Sequence, residues 1–434
     1  MQILIWKDQD ETARKRLLAR PDSSSGPELR CAVADIIANV RATGDEALLD
    51  YTQRFDRVTL KGLDLDPKAT RAAAAKVSSA TREALEVAKE NIEHFHRVQY
   101  PKRIELPTSP GIRCFREARP IQRVGFYIPG GSAPLPSTVL MLGIPAMIAA
   151  NPLRVLCTPP AADGTIHPVI LLAAELCGIE QIFPVGGAQA IAAMAYGTQS
   201  IPKVDKIFGP GNSWVTEAKL QVASDPHGAA IDMPAGPSEV LVIADETAHP
   251  EFVAADLLSQ AEHGPDSQVI LISTSESIAR GVLSALDRQL LGLPRRETAI
   301  KALQHSRCIV TADVASALAI SDEYAPEHLI LQVHEPEAWA RRVQNAGSVF
   351  LGPWSPESVG DYASGTNHVL PTYGYARSYS GLSLDSFFKQ ITFQHLSREG
   401  LAAIAPAVEE LARVEGLEAH RRAVSIRLAE RGYS

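Results

Sequence analysis

The 434-residue sequence predicts an α/β protein made of two Rossmann-like parallel-sheet units with helical extensions at both ends. Two observations carry that fold class. From Val124 onward short β-branched runs alternate with alanine-rich helical stretches, and Gly or Pro marks most of the junctions. Before and after that region the apolar residues recur at helical rather than strand spacing.

Taken in order, Leu29–Phe55 carries apolar residues at helical spacing, and Lys68–His96 is alanine-rich with alternating charge and no proline after Pro67. Both predict helices. The proline-punctuated stretch Pro101–Pro120 reads as a connector and a domain boundary. Strands are expected at 124–128, 154–158, 181–185, 206–208 and 239–243, then in a second series at 268–273, 307–311, 328–333 and 348–351. The Gly-, Ser-, Pro- and Tyr-rich segment Gly352–Ser383 is long for an irregular connection, which favours a functional loop. Leu396–Arg431 reads as one or two amphipathic helices. The expected organisation is a helical segment over 1–25, a first α/β domain from 26–123 plus 239–380, a second over 124–238, and a C-terminal helical segment over 381–434.

Composition narrows the function. With 42 Lys and Arg against 50 Asp and Glu the net charge is −8, which argues against nucleic acid or an anionic membrane as partner. The longest apolar run, Thr138–Ala150, is interrupted by Pro145 and too short to span a bilayer. The N-terminus turns charged within its first residues and has no signal-peptide core. Five cysteines, never in a Cys-x-x-Cys, speak against a disulfide framework and a thiolate zinc cage. A cytoplasmic protein is expected.

Four glycine-bearing turns follow strand-like runs: Pro129-Gly130-Gly131-Ser132, Val185-Gly186-Gly187-Ala188-Gln189, Phe208-Gly209-Pro210-Gly211-Asn212 and Pro234-Ala235-Gly236-Pro237-Ser238. Glycine lets a backbone approach a ligand, and a helix N-terminus offers N–H donors to phosphate. Any one of them is as readily a plain βα turn, and neither Gly-x-Gly-x-x-Gly nor a P-loop occurs. In such sheets ligands bind beyond the carboxyl ends of strands, so loops there are the first to inspect. Asp256, Gln260 and His263 share a helix face that Gly264-Pro265 ends, an arrangement that serves a ligand-bearing helix end or a helix cap. Glu327 and His328 can divide acid–base work between a carboxylate and an imidazole. As strand neighbours they would face opposite ways, so one shared site requires the turn after Pro326 to break the alternation. Asp361 is a candidate metal ligand or a turn cap. Glu415 and His420 lie five apart, which is not same-face spacing on an ideal helix. His94, His96, His167, His227, His249, His305, His334 and His395 read as surface. Cys157 and Cys177 read as core, and Cys114, flanked by arginines, as a weak candidate nucleophile.

Longer motifs go beyond composition. Phe-Tyr-Ile-Pro-Gly-Gly-Ser-Ala-Pro (126–134), Val-Gly-Gly-Ala-Gln (185–189), Ile-Phe-Gly-Pro-Gly-Asn (207–212) and Asp-Met-Pro-Ala-Gly-Pro-Ser-Glu (232–239) stand in or at the end of the 124–238 unit. Ser-Gln-Ala-Glu-His-Gly-Pro-Asp (259–266), Tyr-Ala-Pro-Glu-His-Leu (324–329) and Gly-Asp-Tyr-Ala-Ser-Gly-Thr-Asn-His (360–368) follow. Together they resemble the histidinol dehydrogenase family along essentially the whole chain. The resemblance implies a homodimer that oxidises L-histidinol through the aldehyde to L-histidine, using two NAD⁺ and one zinc ion per subunit. It implies Gln260, His263, Asp361 and His420 as metal ligands and Glu327 and His328 as the acid–base pair. It further implies Tyr127, Gln189 and Asn212 as NAD contacts, with Ser238, His328, Asp361, Glu415 and the metal ligands holding substrate. In the family the C-terminal segment comes from the neighbouring subunit, which would place Glu415 and His420 in the other copy's site.

That set of residues is chemically coherent. His328 suits removal of the hydroxyl proton near neutral pH. The aldehyde step needs an added nucleophile, and with no cysteine in a matched motif, water activated by Glu327 is expected to supply it. On residue chemistry alone a zinc-dependent hydrolase uses the same toolkit, and a non-catalytic nucleotide- or metal-binding module would fit the glycine loops.

Overall fold

The computed structural model describes residues 1–21, 26–130, 134–234 and 236–430. Strand β1 (Ile3–Ile5) opens the chain, followed by a helix at Glu11–Leu17 and helices at Pro27–Thr43, Asp45–Tyr51, Pro67–Ala74 and Ser79–Arg97. A hairpin, β2 (Ile104–Ser109) and β3 (Ile112–Pro120), leads into β4 (Arg123–Tyr127), β5 (Leu153–Cys157), β6 (Gln181–Phe183), β7 (Lys206–Phe208) and β8 (Ala230–Ile231). Then come β9 (Glu239–Ala244), β10 (Gln268–Ser273), β11 (Arg307–Val310), β12 (His328–Gln332) and β13 (Ser348–Leu351), with helices between most of them. Strand β14 (Phe388–Leu396) precedes the terminal helices Arg398–Val414 and Glu418–Ala429.

Two parallel sheets result. The smaller has the order β6-β5-β4-β7-β8, the larger β1-β11-β10-β9-β12-β13. Alternate side chains feed opposite faces, as the two-residue strand period requires. In the smaller sheet Val124, Phe126 and Leu156 enter one core while Tyr127, Val155 and Cys157 enter another. In the larger sheet Val240, Val242 and Ile330 face one way and Leu241, Ile243 and Leu329 the other. Burial on both faces explains why these strands read as continuous apolar runs. Among the described residues no helix is long and apolar enough to cross a membrane.

Three expectations are corrected. The 101–120 stretch is no bare connector: β2 and β3 pair antiparallel, and β14 joins β3 from Phe388 against Pro120 to Leu396 against Ile112. This sheet exposes most of its side chains, so it left no alternating apolar signature. It is pinned instead by stacking of Phe115 on Phe393 at 4.8 Å. The first residues are not purely helical, because β1 forms an edge of the larger sheet through Ile3 against Cys308; residues 22–25 of that expected segment lie outside the described residues. The helices after residue 26 cover the smaller sheet rather than joining the 239–380 unit. Val33, Ile36 and Val40 pack with Val155 on one face, Leu85, Ala88 and Ile92 with Val124 and Phe126 on the other. A parallel sheet needs both faces covered, and these amphipathic helices help supply that cover.

Candidate active site

The Glu327–His328 pair is set by the chain's exit from the helix Val314–Tyr324. Ala325 adopts the left-handed conformation (φ 54°), Pro326 follows, and the regular strand begins only at His328. Glu327 therefore precedes the pleat, and the alternation that would have separated the two side chains does not apply. Both are buried and meet at one backbone residue. The Glu239 N–H donates to Glu327 Oε2 at 2.8 Å, and His328 Nδ1 donates to the Glu239 carbonyl at 2.9 Å. A carbonyl only accepts, so Nδ1 carries the proton and Nε2 is left with its lone pair. That Nε2 is buried, has no hydrogen-bond partner among the described residues, and lies 3.8 Å from Asp361 Oδ1. Burial holds the His328 imidazole below its usual pKa and pushes the Glu327 carboxyl well above the usual carboxylate range.

Glu239 is itself clamped. Arg20 donates to both its carboxylate oxygens (2.5 and 2.9 Å) and lies 3.9 Å over the Tyr324 ring, while the Tyr373 N–H donates to Glu239 Oε1 at 2.9 Å. Sequence reasoning singled out neither Arg20 nor Glu239 as part of the site, since the pairing spans more than two hundred residues.

The metal-ligand candidates converge in part. The helix Pro250–Ala261 runs back from the carboxyl end of β9, which brings Gln260 and His263 to the amino edge of the larger sheet. On the short helix Glu357–Tyr362, Glu357 and Asp361 lie four apart and face the same way. Ligand atoms of His263, Glu357 and Asp361 all lie within 4.8 Å of one another. With its amide nitrogen turned toward Glu357, Gln260 donates to Glu357 Oε2 at 3.1 Å. Glu357, buried and with its carboxyl pushed well above the usual range by that burial, was missed; its four-residue offset from Asp361 was the available signal. His368 was also missed as a site residue: its Nδ1 donates to the Asp361 carbonyl at 2.7 Å and its Nε2 lies 3.3 Å from Thr138 Oγ1. Ser238 immediately precedes β9 at the same edge, its carbonyl accepting from Gln268 N at 3.2 Å. Glu415 and His420 do not join. Both are exposed on the tail, Glu415 capping the helix Arg398–Val414 and His420 within Glu418–Ala429.

This cluster sits at the amino ends of β9 and β12, the opposite edge from the one expected for such sheets. The carboxyl ends of the smaller sheet's strands border a cleft. This cleft of about 690 Å³ gathers Tyr127 at the end of β4, Gln189 after β6 and Asn212 after β7. Tyr127 Oη accepts from Gly187 N at 3.1 Å, and burial raises its pKa to about 12, so it stays a neutral phenol. Asn212 caps the helix Ser213–Ser224 by accepting from Trp214 N and Val215 N. Gly187 requires its glycine, with φ at 65°. Residues 131–133 and 235, in two of the four glycine loops, lie outside the described residues.

Two lesser expectations change. His96 is buried rather than on the surface, donating through Nδ1 to Ile92 O at 2.8 Å. Cys114 lies in β3, 3.9 Å from Thr108 Oγ1 and in a different sheet from the Glu327–His328 pair.

Asp256 stands beside this cluster without joining it. It is buried, accepts from Gln332 Nε2 at 3.0 Å, and burial raises its pKa from 3.8 to about 6. A raised carboxyl pKa means that the folded state holds the proton more tightly, so the buried charge weakens the fold in full above pH 6 and not at all below about pH 4. Asp256→Asn keeps an acceptor for Gln332 and is expected to stabilise the fold by on the order of 3 kcal/mol at pH 8. Thermal unfolding should show a rise of several degrees at pH 8 that shrinks toward zero at pH 4.

Comparison with known proteins agrees over the full length. The family model described as "Histidinol dehydrogenase" matches residues 19–428. The histidinol dehydrogenase of Vibrio parahaemolyticus is 55% identical over 428 residues, covering 99% of this chain and 98% of its own. That of Escherichia coli is 54% identical over 426 residues, covering 98% and 97%. The crystal structure of histidinol dehydrogenase from Elizabethkingia anophelis superposes with a TM-score of 0.95 at 51% identity, covering 99% of this chain and 98% of that one.

Proposed function

Because the chain belongs to the histidinol dehydrogenase family of oxidoreductases, which oxidise histidinol in histidine biosynthesis, we propose that it converts L-histidinol through L-histidinaldehyde to L-histidine, passing two hydrides in succession to two NAD⁺. The observation that carries this reading is the bare, buried Nε2 of His328, held in that tautomer by Glu239 and aimed at the His263–Glu357–Asp361 cluster. The hydrolase alternative loses its ground to the family's oxidoreductase chemistry.

The donor set fits zinc: imidazole, carboxylate and amide without thiolate, gathered within reach of one ion. Gln260, His263 and Asp361 would hold it from one subunit, and His420 from a second copy. When bound, zinc would orient the amino alcohol and polarise its oxygen. Ser238 and Glu415 complete the substrate contacts in this reading. Support for a shared site comes from the tail, where Leu411, Val414, Leu417 and Ile426 leave an apolar surface exposed beside Glu415 and His420.

In the first oxidation His328 Nε2 takes the hydroxyl proton as hydride leaves the carbinol carbon for NAD⁺. Water then adds to the aldehyde: Glu327 takes a proton from the water while the protonated His328 returns its proton to the carbonyl oxygen, giving the neutral hydrate and a neutral imidazole. His328 takes a hydroxyl proton from the hydrate as the second hydride leaves, and the carboxylic acid results. The lowered pKa of His328 keeps it neutral, and therefore basic, at physiological pH. Tyr127, Gln189 and Asn212 hold NAD⁺ in the cleft, whose volume is in the range of small-molecule sites. The free thiols at all five cysteines suit a cytoplasmic setting.

Zinc-loaded protein given L-histidinol and excess NAD⁺ should form two NADH per histidine. Chelation should abolish turnover, and zinc should restore it. One NADH per histidinol consumed, or turnover indifferent to chelation, would overturn the reading.

A further inference from the structure

We propose that Asp56 binds the adenosine ribose diol of the dinucleotide and sets the preference for NAD⁺ over NADP⁺; this rests on the reading of the cleft as the NAD⁺ site. Asp56 ends a short π-helical turn, Thr52–Asp56, and the chain reverses immediately after it through Arg57 in the left-handed conformation (φ 59°). The turn presents Phe55 and Asp56 to the cleft that also holds Tyr127, Gln189 and Asn212. Asp56 Oδ2 is buried and has no hydrogen-bond partner among the described residues. A carboxylate is an acceptor only, and leaving one of its oxygens buried without a donor is costly. Burial accordingly pushes its carboxyl above the usual range. Among the described residues the cleft lining contains no Lys or Arg to answer the charge. A vicinal diol, with two O–H donors and no charge, supplies what is missing.

The placement of Asp56 decides which ribose. The reacting ring must reach His328, and the smaller sheet approaches that cluster through Thr138, which meets His368. The helix carrying Thr138 packs on one face of the sheet, with Val124 and Phe126. Asp56 directly follows helices whose Ile36, Leu48 and Tyr51 pack on the opposite face, with Val155 and Cys157. Asp56 thus stands at the end of the cleft remote from the chemistry, where the adenosine half lies. A 2′-phosphate there would bring a second anion against the carboxylate with no Lys or Arg in the described lining to answer either charge.

Equilibrium binding by calorimetry of NAD⁺, NADP⁺ and 2′-deoxyadenosine-NAD⁺ to wild type, Asp56→Asn and Gln189→Ala tests this. Wild type should bind NAD⁺ well ahead of NADP⁺. Asp56→Asn should weaken NAD⁺ by about ten-fold or more, the value of a hydrogen bond to a charged group, and narrow the gap to NADP⁺. The 2′-deoxy analogue should bind wild type as weakly as Asp56→Asn binds NAD⁺, and should lose little further on the variant, because the same bond is already gone. That wild-type comparison needs no variant to fold. If Asp56→Asn binds NAD⁺ like wild type while Gln189→Ala does not, the assignment of Asp56 is overturned and the cleft stands. If neither variant weakens NAD⁺, the cleft is not the dinucleotide site and both readings fall.

Discussion

Glu327→Gln is expected to leave the first hydride transfer near its wild-type rate and to slow the second by a factor on the order of 10²–10⁴, the usual contribution of a positioned general base. The substitution keeps an oxygen able to accept from Glu239 N, so the 2.8 Å contact that positions this side chain survives. It also leaves the tautomer of His328 untouched, because the Glu239 carbonyl and not Glu327 holds Nδ1–H. What it removes is the capacity to take a proton from water. Rapid mixing with L-histidinol should therefore give one NADH per site in a normal burst, followed by a stall, and histidinaldehyde supplied directly should be oxidised slowly. His328→Asn serves as the contrast, since it should slow both transfers. Equal loss in both steps for Glu327→Gln would remove the division of labour between the two residues.

How much of this was legible beforehand depends on where the free energy lies. Strands β9, β10 and β12 are buried throughout and β4 to β7 mostly so, so each reads as a largely apolar run, and they stand close to where the runs do; the two-residue β8, exposed or half-buried, had no such run to show. Strand β1 has three residues on an edge, and β14 with β2 and β3 carries exposed side chains on both faces, so none had a hydrophobic period to display. The covering of the smaller sheet by the helices after residue 26 is a fact of tertiary packing that no local pattern encodes.

The site divides in the same way. Gln260 with His263, and Glu327 with His328, were visible because chemistry-bearing residues stood at a helix end or a strand entrance. Glu357 and His368 lay inside a loop already marked as functional, but nothing local revealed that they would be buried against Asp361. Arg20 illustrates the limit. It is buried through a pairing with Glu239 that only the folded sheet creates, and through Glu239 it reaches both Glu327 and His328. The Glu327–His328 cluster also lies at the amino edge of the larger sheet, not at the carboxyl edge that the sequence reading pointed to first, whereas the cleft of the smaller sheet does lie at carboxyl ends.

A single chain leaves His420 exposed and away from His263, and a shared site makes this arrangement testable by mixing inactive proteins. His263→Ala and His420→Ala should each lose nearly all turnover, because each removes one imidazole from every site. In a heterodimer of the two, one site combines both substitutions, while the other takes His263 from one chain and His420 from the other and is intact. Random reassortment of equal amounts makes half the dimers mixed, each with one working site of two, so activity should return to about a quarter of wild type. The readout is NADH formation after the two proteins are unfolded and refolded together, with the same proteins refolded apart as the control. Recovery cannot arise if each chain builds its own site, because every site would then still lack an imidazole. Failure to recover, with mixed dimers shown to form by tagged co-purification, would return His420 to the role its exposure suggests, a solvated residue on a terminal helix. Recovery would explain why a five-residue offset that suits no single helix face is useful: Gly416, at φ 72°, turns the chain between two helices, so Glu415 and His420 can be offered together from that corner to a neighbour.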